Sequence, residues 1–146
     1  YRLIVIGNDH AGPYVKWAAR NGMDKHLIFM GPVKDVERYY GAADIFVLPT
    51  AYDAFANVCL EAMACGLPVI TTTTAGAAEL IRNHENGYIL RSRNPDELAG
   101  RLASLESESV RSEIGATNAS EAARYTMENH LAKLLELYHK VRSGGI

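Results

Sequence analysis

The chain has 146 residues, 48% of them hydrophobic, which suits one globular domain with a proper core. Its 15 Lys and Arg stand against 17 Asp and Glu, a near balance that shows no electrostatic footprint for nucleic acid or an anionic membrane. No apolar run approaches the roughly 20 residues that cross a bilayer, and the opening residues do not read as a secretory signal.

Strand and helix signals alternate along the chain. Arg2 to Gly7 reads as a buried strand, an apolar run ended by Gly7-Asn8-Asp9. The chain opens at Tyr1, directly on that strand, and so reads as a piece cut from a longer protein. Pro13 to Asn21 is a predicted helix, with Pro in the first turn and Gly22 just past the end. Leu27 to Phe29 is a short strand closed by Gly31-Pro32, and Val33, Val36, Tyr39, Tyr40 and Ala43 recur at helical spacing. Ile45 to Leu48 is a fully apolar strand stopped by Pro49. The loop Thr50 to Ala56 follows, then a helix from Asn57 to Ala64 ended by Gly66, then the strand Pro68 to Thr71.

Ala77 to Asn83 is predicted as a short helix and Gly87 to Leu90 as the last strand. Asn94-Pro95-Asp96-Glu97 is a strong helix start: a capping Asn, Pro at the first position, then acids near the positive helix end. Two further helices are expected, Ser109 to Arg124 and Met127 to Arg142, the second capped by Thr126 and striped by Leu131, Leu134, Leu135, Tyr138 and Val141. Apolar strands each followed by a helix imply an α/β fold, a doubly wound parallel sheet with C-terminal helices, in one domain over 1–146. Cys59 and Cys65 lie on one expected helix at a spacing that turns them to separate faces. A disulfide or shared metal is not expected, and a reducing, cytoplasmic setting is.

Doubly wound sheets bind ligands at the carboxyl ends of their strands. The first such loop, Gly7 to Gly12, fails both familiar phosphate tests. Pro13-Tyr14 stand where a P-loop needs Lys and then Ser or Thr, and Asp9 stands where a dinucleotide fingerprint needs Gly. The loop from Asp53 into the next helix is more informative. Small Ala54 and Ala56 let a ligand approach the main chain, and free N–H groups near Ala56 to Val58 face outward with the helix dipole behind them. Asp53 offers an acceptor-only carboxylate to sugar hydroxyls, and Glu61, one turn into the helix, can reach the other end of the same ligand. Taken singly, Asp53 reads as a loop acid, Phe55 as a core residue and Glu61 as an exposed helix carboxylate. Their joint pattern carries the signal.

That pattern resembles the C-terminal domain of the retaining, two-domain GT-B glycosyltransferases of family four. Their signature is Glu-Gly-Phe-Gly followed, a few residues on, by Leu-Glu-Ala-Met-Ala-Cys-Gly-Leu-Pro-Val. Phe55, Asn57, Val58 and the run Leu60 to Val69 match it. So do Val5-Ile6-Gly7, Phe29-Met30-Gly31, Ala42-Ala43-Asp44, Gly76, Glu79, Asn86-Gly87-Tyr88 and a final helix holding Tyr138.

The resemblance implies that Asp53 contacts the donor sugar and Glu61 the ribose hydroxyls, the pair filling the catalytic-site acid positions. Main chain at Phe55, Ala56, Asn57 and Val58 would hold sugar and diphosphate, with Gly31 to Val33 beside the base. The donor would be a nucleoside-diphosphate sugar, UDP-linked, with no metal and no other cofactor. The acceptor would be a saccharide or lipid-linked hydroxyl reached through an N-terminal domain not present here. The wording around Asp53 and Asn57-Val58-Cys59 is similar to lipopolysaccharide-core glucosyltransferases, which implies work in the cytoplasm or at the inner face of the cytoplasmic membrane.

Asp53 replaces the usual Glu, and Ala54 and Ala56 replace two glycines, a restriction wherever positive φ is required. The family's diphosphate-binding Arg and Lys would lie before Tyr1, so the fragment alone is expected to be inactive. Two alternatives stand beside the transferase: a non-catalytic nucleotide-sugar-binding module, which Ala54 and Ala56 motivate, and another GT-B relative, a sugar-nucleotide epimerase. Asp53 and Glu61 are read as positioning groups and not as a hydrolase acid and nucleophile, because a loop-to-helix placement gives no evidence of facing carboxylates about 5 Å apart.

Overall fold

Short apolar runs settle as strands when both faces can be covered, and parallel pairing needs a crossover long enough to bring the chain back. The computed structural model describes every residue except Asp9, Ser92, Gly145 and Ile146. These residues form two compact units, Tyr1–Arg38 and Tyr39–Ile146. The expected loop Gly7 to Gly12 contains Asp9 and so lies partly outside the described residues.

In the first unit, β1 (Leu3–Ile6) and β2 (Leu27–Gly31) pair in parallel, joined through helix α1 (Gly12–Arg20). The register runs from Leu3↔Leu27 to Val5↔Phe29 and then slips to Ile6↔Gly31. Gly31 takes φ +68°, in the left-handed region where a side chain is disfavoured. Helix α2 (Val36–Ala42) begins at the end of this unit and carries the chain into the second.

The second unit holds β3 (Phe46–Leu48), α3 (Asn57–Ala64), β4 (Val69–Thr72), a 3-10 turn (Gly76–Leu80), β5 (Gly87–Leu90), α4 (Pro95–Ser104), α5 (Glu108–Ala122) and α6 (Met127–Arg142). Its three strands pair in chain order and all in parallel, with Phe46↔Val69 and Ile70↔Tyr88 in register. β4, in the middle, is buried along its whole length. Ile70, Tyr88, Leu90, Leu105 and Ile114 form the core, and Val47, Leu98, Leu102 and Val110 pack against it. Each fully buried Ile or Leu of this core contributes about 1.5–3 kcal/mol by leaving water.

Helix α3 packs on α5, where the buried Asn118 amide donates to the carbonyls of Leu67 and Asn86, both at 2.7 Å. Asn94 caps α4 by accepting from the Asp96 N–H, and Thr126 caps α6 by accepting from the Asn129 N–H, as their residue types lead one to expect.

Among the described residues the parallel strands hydrogen-bond in two sets, β1–β2 and β3–β4–β5. Apolar runs specify that strands form but not which backbone each one bonds. The helix expected over Ala77 to Asn83 is a 3-10 turn that ends at Leu80, with Ile81 already extended. Buried Asn86 stops it, accepting from the Arg82 N–H at 2.7 Å and donating to the Leu80 carbonyl at 2.9 Å. Helix α6 spans its expected residues but fully buries none of them, and Leu131, Leu135, Tyr138 and Val141 of its apolar stripe are exposed.

Candidate functional site

The carboxyl ends of β3 and β4 open onto two loops, Pro49–Ala56 and Thr73–Ala75. Backbone bonds lock these loops together. The Asp53 N–H donates to the Thr74 carbonyl at 3.3 Å, and the Gly76 N–H donates back to the Asp53 carbonyl at 2.8 Å, an isolated parallel bridge. A Cβ at Gly76 would overlap the carbonyl of Ala54, so glycine is required there by close approach of main chain. Side chains reinforce the lock: the Thr72 and Thr74 hydroxyls lie 3.0 Å apart, both within reach of the Thr50 carbonyl at 2.8 and 3.2 Å. Sequence reasoning missed this cluster, although the run of four threonines at 71–74, at and beyond the end of β4, was its visible trace.

The chain then turns through extended Ala56 (φ −73°, ψ 92°) into α3. No side chain caps this helix, so the N–H groups of Asn57 and Val58 have no partner within it and carry the positive end of the dipole. The Cys59 N–H is already satisfied by the Ala56 carbonyl at 2.9 Å. Phe55 is 43% exposed and Val58 38%, whereas Ala56 is buried. Phe55 is therefore not a core residue. Among described non-glycine residues only His84 has positive φ, so Ala54 and Ala56 occupy ordinary backbone and strain nothing in place of glycine.

Glu61 lies one turn further along α3, exposed, with the Tyr40 hydroxyl donating to its Oε2 at 3.0 Å. Burial first, and then the Glu61 carboxylate, raise the Tyr40 hydroxyl well above the ordinary phenol value and keep it a donor. On the inner face of the same helix, burial pushes the Cys59 thiol up to about 11, with the Asp53 carboxylate adding to the rise and a hydrogen bond with Thr71 opposing it. Both cysteines are free, Cys59 buried and Cys65 exposed.

Asp53, Phe55, Ala56, Asn57, Val58 and Glu61 thus come together on one strand–loop–helix passage. Gly31 and Val33 belong to the first unit, at the carboxyl end of β2 and just beyond it. That unit also presents a shallow cleft at the start of α1, lined by His10, Gly12, Pro13, Lys16 and Arg20. Among the described residues no helix is long and apolar enough to cross a membrane.

The family described as "Glycosyl transferases group 1" matches residues 1–108. The chain belongs to this glycosyltransferase family. A D-inositol 3-phosphate glycosyltransferase of Rhodococcus erythropolis is 33% identical, the match covering 95% of this chain and 34% of that protein. Among solved structures, the group 1 chain is similar to WaaG, a glycosyltransferase involved in lipopolysaccharide biosynthesis, at 28% identity and TM-score 0.75, over 86% of this chain and 34% of that one. It is also similar to Anabaena HepE in complex with UDP, at 26% identity and TM-score 0.79, over 92% of this chain and 40% of that one. The chain therefore spans about a third of the length of the curated relatives it matches. Its fold is α/β with parallel sheets, a Rossmann-like half of a GT-B glycosyltransferase.

Proposed function

We propose that the full-length protein transfers a hexose from a UDP-linked sugar to an acceptor hydroxyl with retained configuration, and that this chain supplies the donor-binding half. The observation that carries the reading is the locked loop. Asp53 is held by backbone bonds at the mouth of β3 and β4, beside an uncapped helix start and a carboxylate one turn in. Asp53 then takes sugar hydroxyls and Glu61 the ribose diol. The Asn57 and Val58 N–H groups, with main chain at Phe55 and Ala56, take the diphosphate.

In the reaction the bond between the anomeric carbon and the diphosphate oxygen breaks, and its electron pair leaves with the diphosphate. The acceptor oxygen bonds to that carbon on the same face, and its proton passes to the departing phosphate oxygen. Amide donors and a helix dipole aimed at the growing phosphate charge stabilise this step more than the ground state. No metal has a part in it, so chelators should leave the rate unchanged. HepE's complex with UDP supports the uridine choice. WaaG's part in lipopolysaccharide biosynthesis supports a lipid-linked saccharide acceptor at the inner face of the cytoplasmic membrane. Unstrained alanines at 54 and 56 favour this reading over a module that only binds.

The test is a titration with UDP, UDP-glucose, GDP-mannose and ADP-glucose, read by amide chemical shifts, beside turnover of the full-length protein. Shifts at Phe55 to Val58 and Glu61, with an α-configured product from an α-linked donor, are expected. Binding without transfer would leave a binding module, and conversion of donor without acceptor an epimerase. Failure of the full-length protein to bind any donor would end the reading.

A further inference from the structure

A carboxylate on an exposed helix face samples several rotamers, and a ligand that needs one of them must bear the cost of ordering it. Glu61 does not stand in that situation. Tyr40, on α2, reaches it from 21 positions upstream and donates to Oε2 at 3.0 Å. The tyrosine is itself fixed: its side chain is 6% exposed, and its ring meets Phe46 edge-to-face at 5.8 Å between centroids. The hydrogen bond uses one acceptor site of a carboxylate that has about four, which leaves Oε1 and a lone pair on Oε2 for two neighbouring hydroxyls.

We infer that Tyr40 is a positioning residue, which pre-orients Glu61 for a vicinal diol and so sets the preference for a ribose over a deoxyribose nucleotide. The inference rests on the transferase reading for its ligand, and adds to it a residue with no direct contact to that ligand. The buried hydroxyl stays protonated through the neutral range, so this preference should not vary there with pH. Tyr40 is also an aromatic of the core, and a packing role alone would produce a different pattern of losses.

The experiment titrates full-length wild type, Tyr40→Phe, Glu61→Gln and the double variant with UDP and with 2′,3′-dideoxy-UDP, the guanosine and adenosine pairs run alongside. Tyr40→Phe should weaken UDP about tenfold and leave the dideoxy analogue within about twofold. The loss should vanish in the Glu61→Gln background, the signature of two residues acting as one unit. In turnover, KM for the donor should rise while kcat at saturating donor holds. Equal losses for both nucleotides, or an undiminished loss beside Glu61→Gln, would assign Tyr40 to packing and overturn the inference. A second measurement avoids the variant altogether: ring-fluorinated tyrosine at position 40 should shift its fluorine resonance with UDP and not with the dideoxy analogue. Equal response, or none, with UDP bound would also overturn it. Wild type that binds none of these nucleotides would instead strike the transferase reading, and this inference with it.

Discussion

Two of the passages from a parallel strand through a loop into a helix, those after β1 and after β3, share a pattern but not a structure. After β1, α1 starts from Ala11 in helical conformation, buries only Ala18, and leaves Tyr14, Val15 and Trp17 open. After β3, the loop is bonded at Asp53 to the loop that follows β4, and α3 buries Cys59, Ala62 and Met63. Both helices offer a positive N-terminal end. Only the second sets it beside an acid whose main chain is held by a neighbouring strand's loop. On the proposed reading, the fixed loop is what marks the second passage as the donor site, and the strand–helix pattern alone does not supply that.

The sharpest way to break this contrast is Gly76→Ala. The new methyl would overlap the Ala54 carbonyl, so the two loops must part, and a loss of about 1–3 kcal/mol in denaturant unfolding is expected together with loss of donor binding. Unchanged stability would show that the loops are not locked. Next comes the division of labour within the anchored passage. Asp53→Ala in the full-length protein should weaken UDP-glucose about tenfold and leave UDP unaffected, whereas Glu61→Ala should weaken both. Equal effects of the two variants on UDP would merge the roles assigned to them.

Alkaline titration should sharpen the contrast by a smaller amount. The Cys59 thiol is raised from 9.0 to about 11 in the folded protein, so its contribution is fully present below pH 9 and is lost as pH rises towards 11. Tyr40 shifts in the same direction. Unfolding free energy should therefore fall over that window, and Cys59→Ala, compared with its own value at pH 8, should fall less. Thiol labelling of the native protein gives a related check: Cys65 should react and Cys59 should not, and prompt labelling of both would mean that α3 opens readily. The smallest effect belongs to α1. Nothing lies within 4 Å of a Cβ at Gly12, and Gly12→Ala should change stability by no more than about 1 kcal/mol, towards greater stability.

Much of this was legible in the residues. Apolar runs with Gly or Pro at one end located the five strands of the described residues, and Asn94 and Thr126 announced the helix starts that they cap. The spacing from Asp53 to Glu61 put both acids on one loop–helix passage, where the structure has them. These features are local: propensity, capping and periodicity act over a few neighbours, so a linear reading captures them.

What folding decided lies between residues distant in sequence. The pairing of strands into two sets, the bridge from Asp53 to Ala75, the overlap that demands glycine at 76, and the bond from Tyr40 to Glu61 are all of this kind. Tyr40 read as one more apolar position on a helix, and Gly76 as a motif letter without a reason. Each gains its meaning from a backbone or side chain brought up by another element. Hydrogen-bond partners and steric overlap are fixed by distances in space, which tertiary packing alone creates.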